Sequence, residues 1–199
     1  MGVFGRNVPG ASLNRNRKLL FAVVAAALSL IVARDCGAQD SQWVLDKSTL
    51  TYHVSHPLHQ VDGVSHAAKG KGVCHAGQCD FLIAVLVKSF DSGDSNRDLH
   101  MQQVTKAGQF PLVTVRTRLP EALADAAAID ADLQVEFAGV TVEYKQVAFQ
   151  QMTEDGQVRI VGTIPAKVTD FKMEVPSLFA VKIKDEIPVH VEMTWRREK

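Results

Sequence analysis

From Leu50 to Trp195 apolar and polar residues alternate with a period of two in segment after segment. Leu50, Tyr52, Val54 and His56 share one face against Thr51, His53 and Ser55. Val113, Val115 and Thr117 oppose Thr114, Arg116 and Arg118, while Leu133, Val135 and Phe137 oppose Gln134 and Glu136. Val158, Ile160, Gly162 and Ile164 oppose Arg159 and Thr163, and Val189, Val191, Met193 and Trp195 oppose His190, Glu192, Thr194 and Arg196. Such alternation predicts strands with one dry and one wet face, the mark of an antiparallel sheet. Two segments are less regular. Phe81–Val87 is apolar on both faces, so its outer side needs a cover. Between Val140 and Met152 the parity shifts from Val140, Val142 and Tyr144 to Val147 and Phe149, which predicts a β-bulge near Lys145-Gln146.

Helical signals are sparse. Ser95 is a candidate cap for a short helix over Asn96–Thr105, Asp170–Leu178 has room for another turn before Pro176 interferes, and Glu121–Ala131 reads as helix or loop. Roughly eight strands with little helix give an all-β domain, either a sandwich or a closed barrel. Closure removes unpaired sheet edges, and about eight strands leave an interior wide enough for one small ligand.

The first residues follow different rules. Arg15, Arg17 and Lys18 precede the uncharged run Leu19–Ala33, which at 15 residues is shorter than a membrane span. With the small-residue exit Cys36-Gly37-Ala38 this predicts a signal peptide over residues 1–38, cleaved after Ala38, and a single domain over 39–199. The whole chain balances 22 basic against 22 acidic residues; without Arg6, Arg15, Arg17, Lys18, Arg34 and Asp35 the balance is 17 against 21. No basic excess remains to neutralise a nucleic-acid backbone. The expected location is the periplasm, with no membrane span after leader removal.

Export makes sense of the cysteines. Cys74 and Cys79 flank a four-residue spacer containing Gly77, as residues facing each other across a hairpin do, and an oxidising compartment favours a disulfide between them. The competing reading, a metal site with His75, lacks the second cysteine pair of a zinc knuckle. His53, His56, His59 and His66 fall within 14 residues and raise a second metal question. His53 and His56 have opposite strand parity, however, and Pro57 separates them from His59, so no metal is assigned.

Several fragments, in order, resemble one family. Trp43-Val44-Leu45-Asp46 followed by Ser48–His56 is similar to the opening of the YceI-like family. Ser89-Phe90-Asp91-Ser92-Gly93 and Asn96-Arg97-Asp98-Leu99-His100 resemble its Ser-x-Asp-Thr-Gly and Arg-Asp-x-His-Leu segments. Phe110–Val115 is similar to its Tyr-Pro-x-Ile-x-Phe strand, Gly139-Val140-Thr141 to its Gly-Val-Thr turn, and Asp170-Phe171 to a late bend, with Lys172 where the family has glycine. The resemblance implies an eight-stranded antiparallel lipocalin-like barrel, with one or two short helices, enclosing an amphiphile of polyisoprenoid type. Storage, shielding or transport in the cell envelope is the implied role, with fatty acids or fatty amides as the alternative ligands.

Strand parity places Leu50, Tyr52, Val54, Val85, Val87, Val113, Val115, Val135 and Phe137 on the inner face, and His56 inward near a barrel end. These residues are the expected ligand-binding set, with the lipid as the only bound group and no other cofactor. Arg97 and Asp98 are expected to brace the short helix. The chain shows no Gly-x-Ser-x-Gly elbow, Ser-x-x-Lys pair or P-loop, so a binding protein is expected in preference to a barrel isomerase or hydrolase. A third reading is a filled sandwich that docks a partner, or a second copy in a homodimer, through the outward residues Leu82, Ala84 and Leu86. Helix Asn96–Thr105 is expected to cover that face.

Overall fold

The computed structural model describes residues 1–2, 40–57, 59–178 and 181–198, with the backbone alone at 59, 124, 125 and 178. The leader run Leu19–Ala33 and the cleavage point after Ala38 lie outside the described residues. Among the described residues no helix is long and apolar enough to cross a membrane.

Alternation becomes burial along the strands. In β6 (Ala128–Phe137) Ile129, Ala131, Leu133 and Val135 are buried and the residues between them exposed. The other strands are β1 (Ser41–His56), β2 (His59–Ser65), β3 (Lys69–His75), β4 (Gln78–Leu86), β5 (Leu112–Pro120), β7 (Val140–Glu154), β8 (Gln157–Ile164), β9 (Ser177–Leu178), β10 (Val181–Lys182) and β11 (Val189–Glu198). Strands β3 to β8 pair antiparallel with their neighbours, β8 pairs with β11, and β11 pairs with β1. On its other edge β1 meets β3 through Ser41–Val44 and β2 through Leu50–His56, so β2 and β3 together occupy one position. The result is a closed eight-stranded antiparallel barrel; β9 and β10 form a separate short hairpin.

The sequence underestimates β1. Its ladder with β11 slips between Leu45 and Lys47, so Trp43 and Leu45 are buried before the slip and Ser48 and Leu50 after it. One extra residue, Asp46, reverses the parity and hides the first half of the strand. The bulge expected in β7 is present: Ala131 pairs with Val147 but Leu133 with Tyr144, leaving Lys145-Gln146 opposite Asp132. Gln146 adopts φ 53°, and its amide donates to Asp132 Oδ1 at 2.9 Å.

Two-residue turns close three hairpins. Ala76-Gly77, Ala138-Gly139 and Asp155-Gly156 all have positive φ at both central positions, the twist that suits a right-handed strand pair. At Gly139 a side chain is excluded twice, since a Cβ there would also stand 2.5 Å from the Phe110 ring.

The one α-helix among the described residues, α1 (Ser95–Val104), begins one residue earlier than expected, and Asp94 caps it by accepting from the amides of Asn96 and Arg97. Arg97 Nε donates to Ser92 Oγ at 2.8 Å, and Asp98 accepts the Ser92 amide, so both residues brace the helix start. The helix does not cover the outer face of β4. No residue within it is buried, and Leu82 and Leu86 remain exposed beside Leu112 of β5. Its polar composition leaves it no apolar stripe to seal that face with. Glu121–Asp125 forms a 3₁₀ turn leading straight into β6, and Thr169–Phe171 forms another.

Candidate functional site

The barrel holds a half-open apolar cavity of about 120 Å³ toward the end that carries the Cys74–Cys79 hairpin. That is roughly ten times the space one water needs, so the interior is not a filled core. Its wall comes from Trp43 of β1, Cys79, Phe81 and Ile83 of β4, and Val115, Thr117 and Leu119 of β5. Ile129, Ala131 and Leu133 of β6 and Phe149 and Gln151 of β7 continue it, and β8 and β11 complete it with residues such as Ile160, Met193 and Trp195. The turn after β5 closes the end with Glu121 and Leu123.

Glycines in β3 shape this wall. A Cβ on Gly70 would lie 2.6 Å from the Trp195 ring, and one on Gly72 would strike Phe81. With no side chain at these two inward positions, Trp195 and Phe81 fold across them and meet edge-on at 5.2 Å. Register then places Trp43, Gly72, Phe81 and Thr117 in one row across four successive strands.

Polar groups on the wall are few. Glu121 Oε1 accepts from Ser41 Oγ at 3.0 Å and faces Arg197 at 3.9 Å. Gln151 Nε2 donates to the Leu123 carbonyl at 3.2 Å, tying the closing turn to β7. Trp43 Nε1, under the Arg197 guanidinium at 4.9 Å, and Thr117 Oγ1 are buried without a hydrogen-bond partner among the described residues.

Most of the residues selected by parity lie elsewhere on the inner side of the barrel. Leu50, Val85, Val87 and Val135 are buried as expected, and Val113 and Phe137 are half-buried against the same core. Phe137 meets Phe171 edge-on at 5.2 Å. Tyr52 stacks obliquely on Phe90 at 5.5 Å; burial first, then the charge of Asp98, raise its pKa. Val54 is half-buried, and His56 is buried at the end of β1. Tyr144 Oη donates to Asp170 Oδ2 at 2.8 Å, and burial followed by that carboxylate pushes its pKa well up. Parity finds the inward face, but of the ten expected residues only Val115 lines the cavity.

Cys74 and Cys79 face each other in register and are bonded, with Cα atoms 3.9 Å apart. Glu121 is close to both sulfurs, and this is the one cluster of three metal-type ligands among the described residues; the bond already engages both thiols. His53 pairs with Asp62 at 2.7 Å, whereas His66 faces Thr49 and the Ser48 carbonyl, so these two imidazoles serve different partners.

A closed antiparallel barrel around an apolar cavity defines a lipocalin-like architecture. The chain belongs to the YceI-like family: the model of the YceI-like domain matches residues 43–195. Among solved structures it is similar to a polyisoprenoid-binding domain from Saccharophagus degradans implicated in plant cell wall breakdown. That match has 16% identity and a TM-score of 0.64, covering 78% of this chain and 98% of the other. It is also similar to BcnA of Burkholderia cenocepacia, with 14% identity and a TM-score of 0.63, covering 74% and 95%. No curated protein matches the sequence.

Proposed function

We propose that this protein is an exported carrier that holds the apolar tail of a polyisoprenoid-type amphiphile inside the barrel, storing, shielding or moving it in the cell envelope. The observation that carries the reading is the cavity, apolar on nearly every side and walled by seven strands of the ring. The polyisoprenoid-binding domain from Saccharophagus degradans, alike in fold, supports the ligand class. The leader-like first 38 residues and the bonded Cys74–Cys79 pair support export to the periplasm.

Binding, without catalysis, is the role this wall suits. Its carboxylate, Glu121, is held by Ser41 and Arg197 against the closing turn. The energy of such a site comes from tail length. Each buried CH₂ contributes about 0.8 kcal/mol, whereas association costs roughly 4–15 kcal/mol, so a short tail barely binds. Titration with a series of prenyl alcohols of increasing length tests this. Affinity should rise steeply with each added unit until the cavity is full, and Val115→Trp, which narrows the wall, should cut the plateau while leaving the fold intact. Affinity independent of length, or a Val115→Trp protein that binds like wild type, contradicts the reading.

A further inference from the structure

Resting on the carrier reading, we infer that the ligand enters through the side of the barrel, between β5 and β6, and leaves its polar head in the groove outside that seam. Every other junction in the ring that touches these two strands is a long ladder. β4 and β5 pair from Gln78–Pro120 through Leu86–Leu112, and β6 and β7 pair along almost all of β6. Between β5 and β6 the ladder covers only Thr114–Glu136, Val115–Val135 and Arg116–Gln134. Continued in register it would join Thr117 to Leu133, Arg118 to Asp132 and Leu119 to Ala131, but the strands part there.

The cause lies in the sequence of the next hairpin. The bulge at Asp132 and Lys145-Gln146 sits where the pairing stops, and a bulge increases local twist and bends its strand. On the other side β5 ends in Pro120, which has no N–H to offer a ladder. What closes the wall is a set of side chains. Phe81, Thr117 and Leu133 line the cavity and also line a groove on the outer surface, so each is the full thickness of the wall. Thr117 Oγ1 is sealed in that wall with no hydrogen-bond partner among the described residues. A hydroxyl buried this way is a standing cost that opening the seam, to water or to a ligand head, removes.

The groove selects the head group. Arg118 is paired bidentately with Asp80, and Lys145 bridges Asp132 and Glu143 at 3.2 and 3.1 Å. The third cation of the groove, Arg116, faces Glu136 at 3.8 Å. All three cations therefore already stand against carboxylates, so a phosphate would have to displace them and meet the carboxylates itself. An uncharged head that donates and accepts hydrogen bonds, a hydroxyl or a carbonyl, fits this rim without breaking a pair.

Lateral entry predicts a kinetic effect. The double variant Arg118→Cys/Asp132→Cys, joined across the seam with a short bismaleimide, is compared with the same variant capped by N-ethylmaleimide; neither treatment reduces the Cys74–Cys79 bond. Stopped-flow uptake of a long-chain prenyl alcohol should be at least tenfold slower in the joined protein, and Thr117→Trp, which plugs the seam from one side, should slow uptake likewise with an unchanged circular dichroism spectrum. A prenyl diphosphate of the same length should load more weakly than the alcohol in the wild-type protein, and equal or tighter loading overturns the choice of an uncharged head. Equal uptake rates in joined, capped and Thr117→Trp proteins overturn the lateral route alone. A wild-type chain that takes up no prenyl probe overturns the carrier reading and the route with it.

Discussion

Tyr144 holds two parts of the molecule together through one hydroxyl. Its ring lies on the inner side of β7 and its Oη donates to Asp170, whose Oδ2 also accepts the Lys167 amide. The bond needs the proton, and burial followed by Asp170 keeps the tyrosine protonated well above its ordinary range. The folded pKa is raised, so the stabilisation is complete below the unfolded value of about 10 and is lost as pH rises beyond it, where the unfolded chain ionises and the native one does not. Urea denaturation at pH 8 and pH 11 should show this loss in wild type and a smaller one in Tyr144→Phe; an equal loss in both proteins contradicts the assignment. Asp170-Phe171 was legible as a bend, but Tyr144 as its partner was not, because the two are joined only through space. Trp43 was hidden for a different reason. Asp46 reverses the parity after Leu45, and a pattern read by twos does not cross an inserted residue.

At the level of elements, the chain advertises turns and bulges better than it advertises which strands separate. The Cys74–Cys79 hairpin follows from local spacing, and so does the β7 bulge, whose parity shift is visible from Val142 to Val147. The incomplete β5–β6 ladder left no such mark, since both segments alternate well and pairing depends on twist accumulated in neighbouring strands. The position expected for the helix cap was off by one because Asp94 and Ser95 are both good caps, and the carboxylate of the first takes the amides. The disulfide should stabilise its short hairpin modestly. Replacing both Cys74 and Cys79 with alanine is expected to cost about 2 kcal/mol, lowering Tm by roughly 4–8 °C in calorimetry. An unchanged Tm would show that the two-residue turn at Ala76-Gly77 alone holds the hairpin.

For the whole molecule, alternation and the order of the family-like fragments were sufficient for an eight-stranded antiparallel barrel, and the structure has that ring. They did not locate the cavity. Inward parity is the same along the full length of a strand, whereas the packing of the two halves differs according to what the connections insert. Phe90 from the segment after β4 and Phe171 from the turn after β8 pack into one half. In the other half, the bare inner face of Gly70 and Gly72 and the short turn at Glu121 leave space. A residue list drawn from parity therefore gathered the inner face at large, with Val115 as its one member on the wall of this cavity.

The central claim is that this space holds a lipid tail, and the most direct measurement is a pair of mass spectra. The protein, purified from its native cells under mild conditions, is weighed first in the native state and then after denaturation. The account predicts a stoichiometric adduct of lipid mass in the native spectrum that disappears on unfolding, with the polypeptide mass marking cleavage after Ala38. A bare polypeptide mass in both spectra, from protein that also takes up no added prenyl lipid, would contradict it.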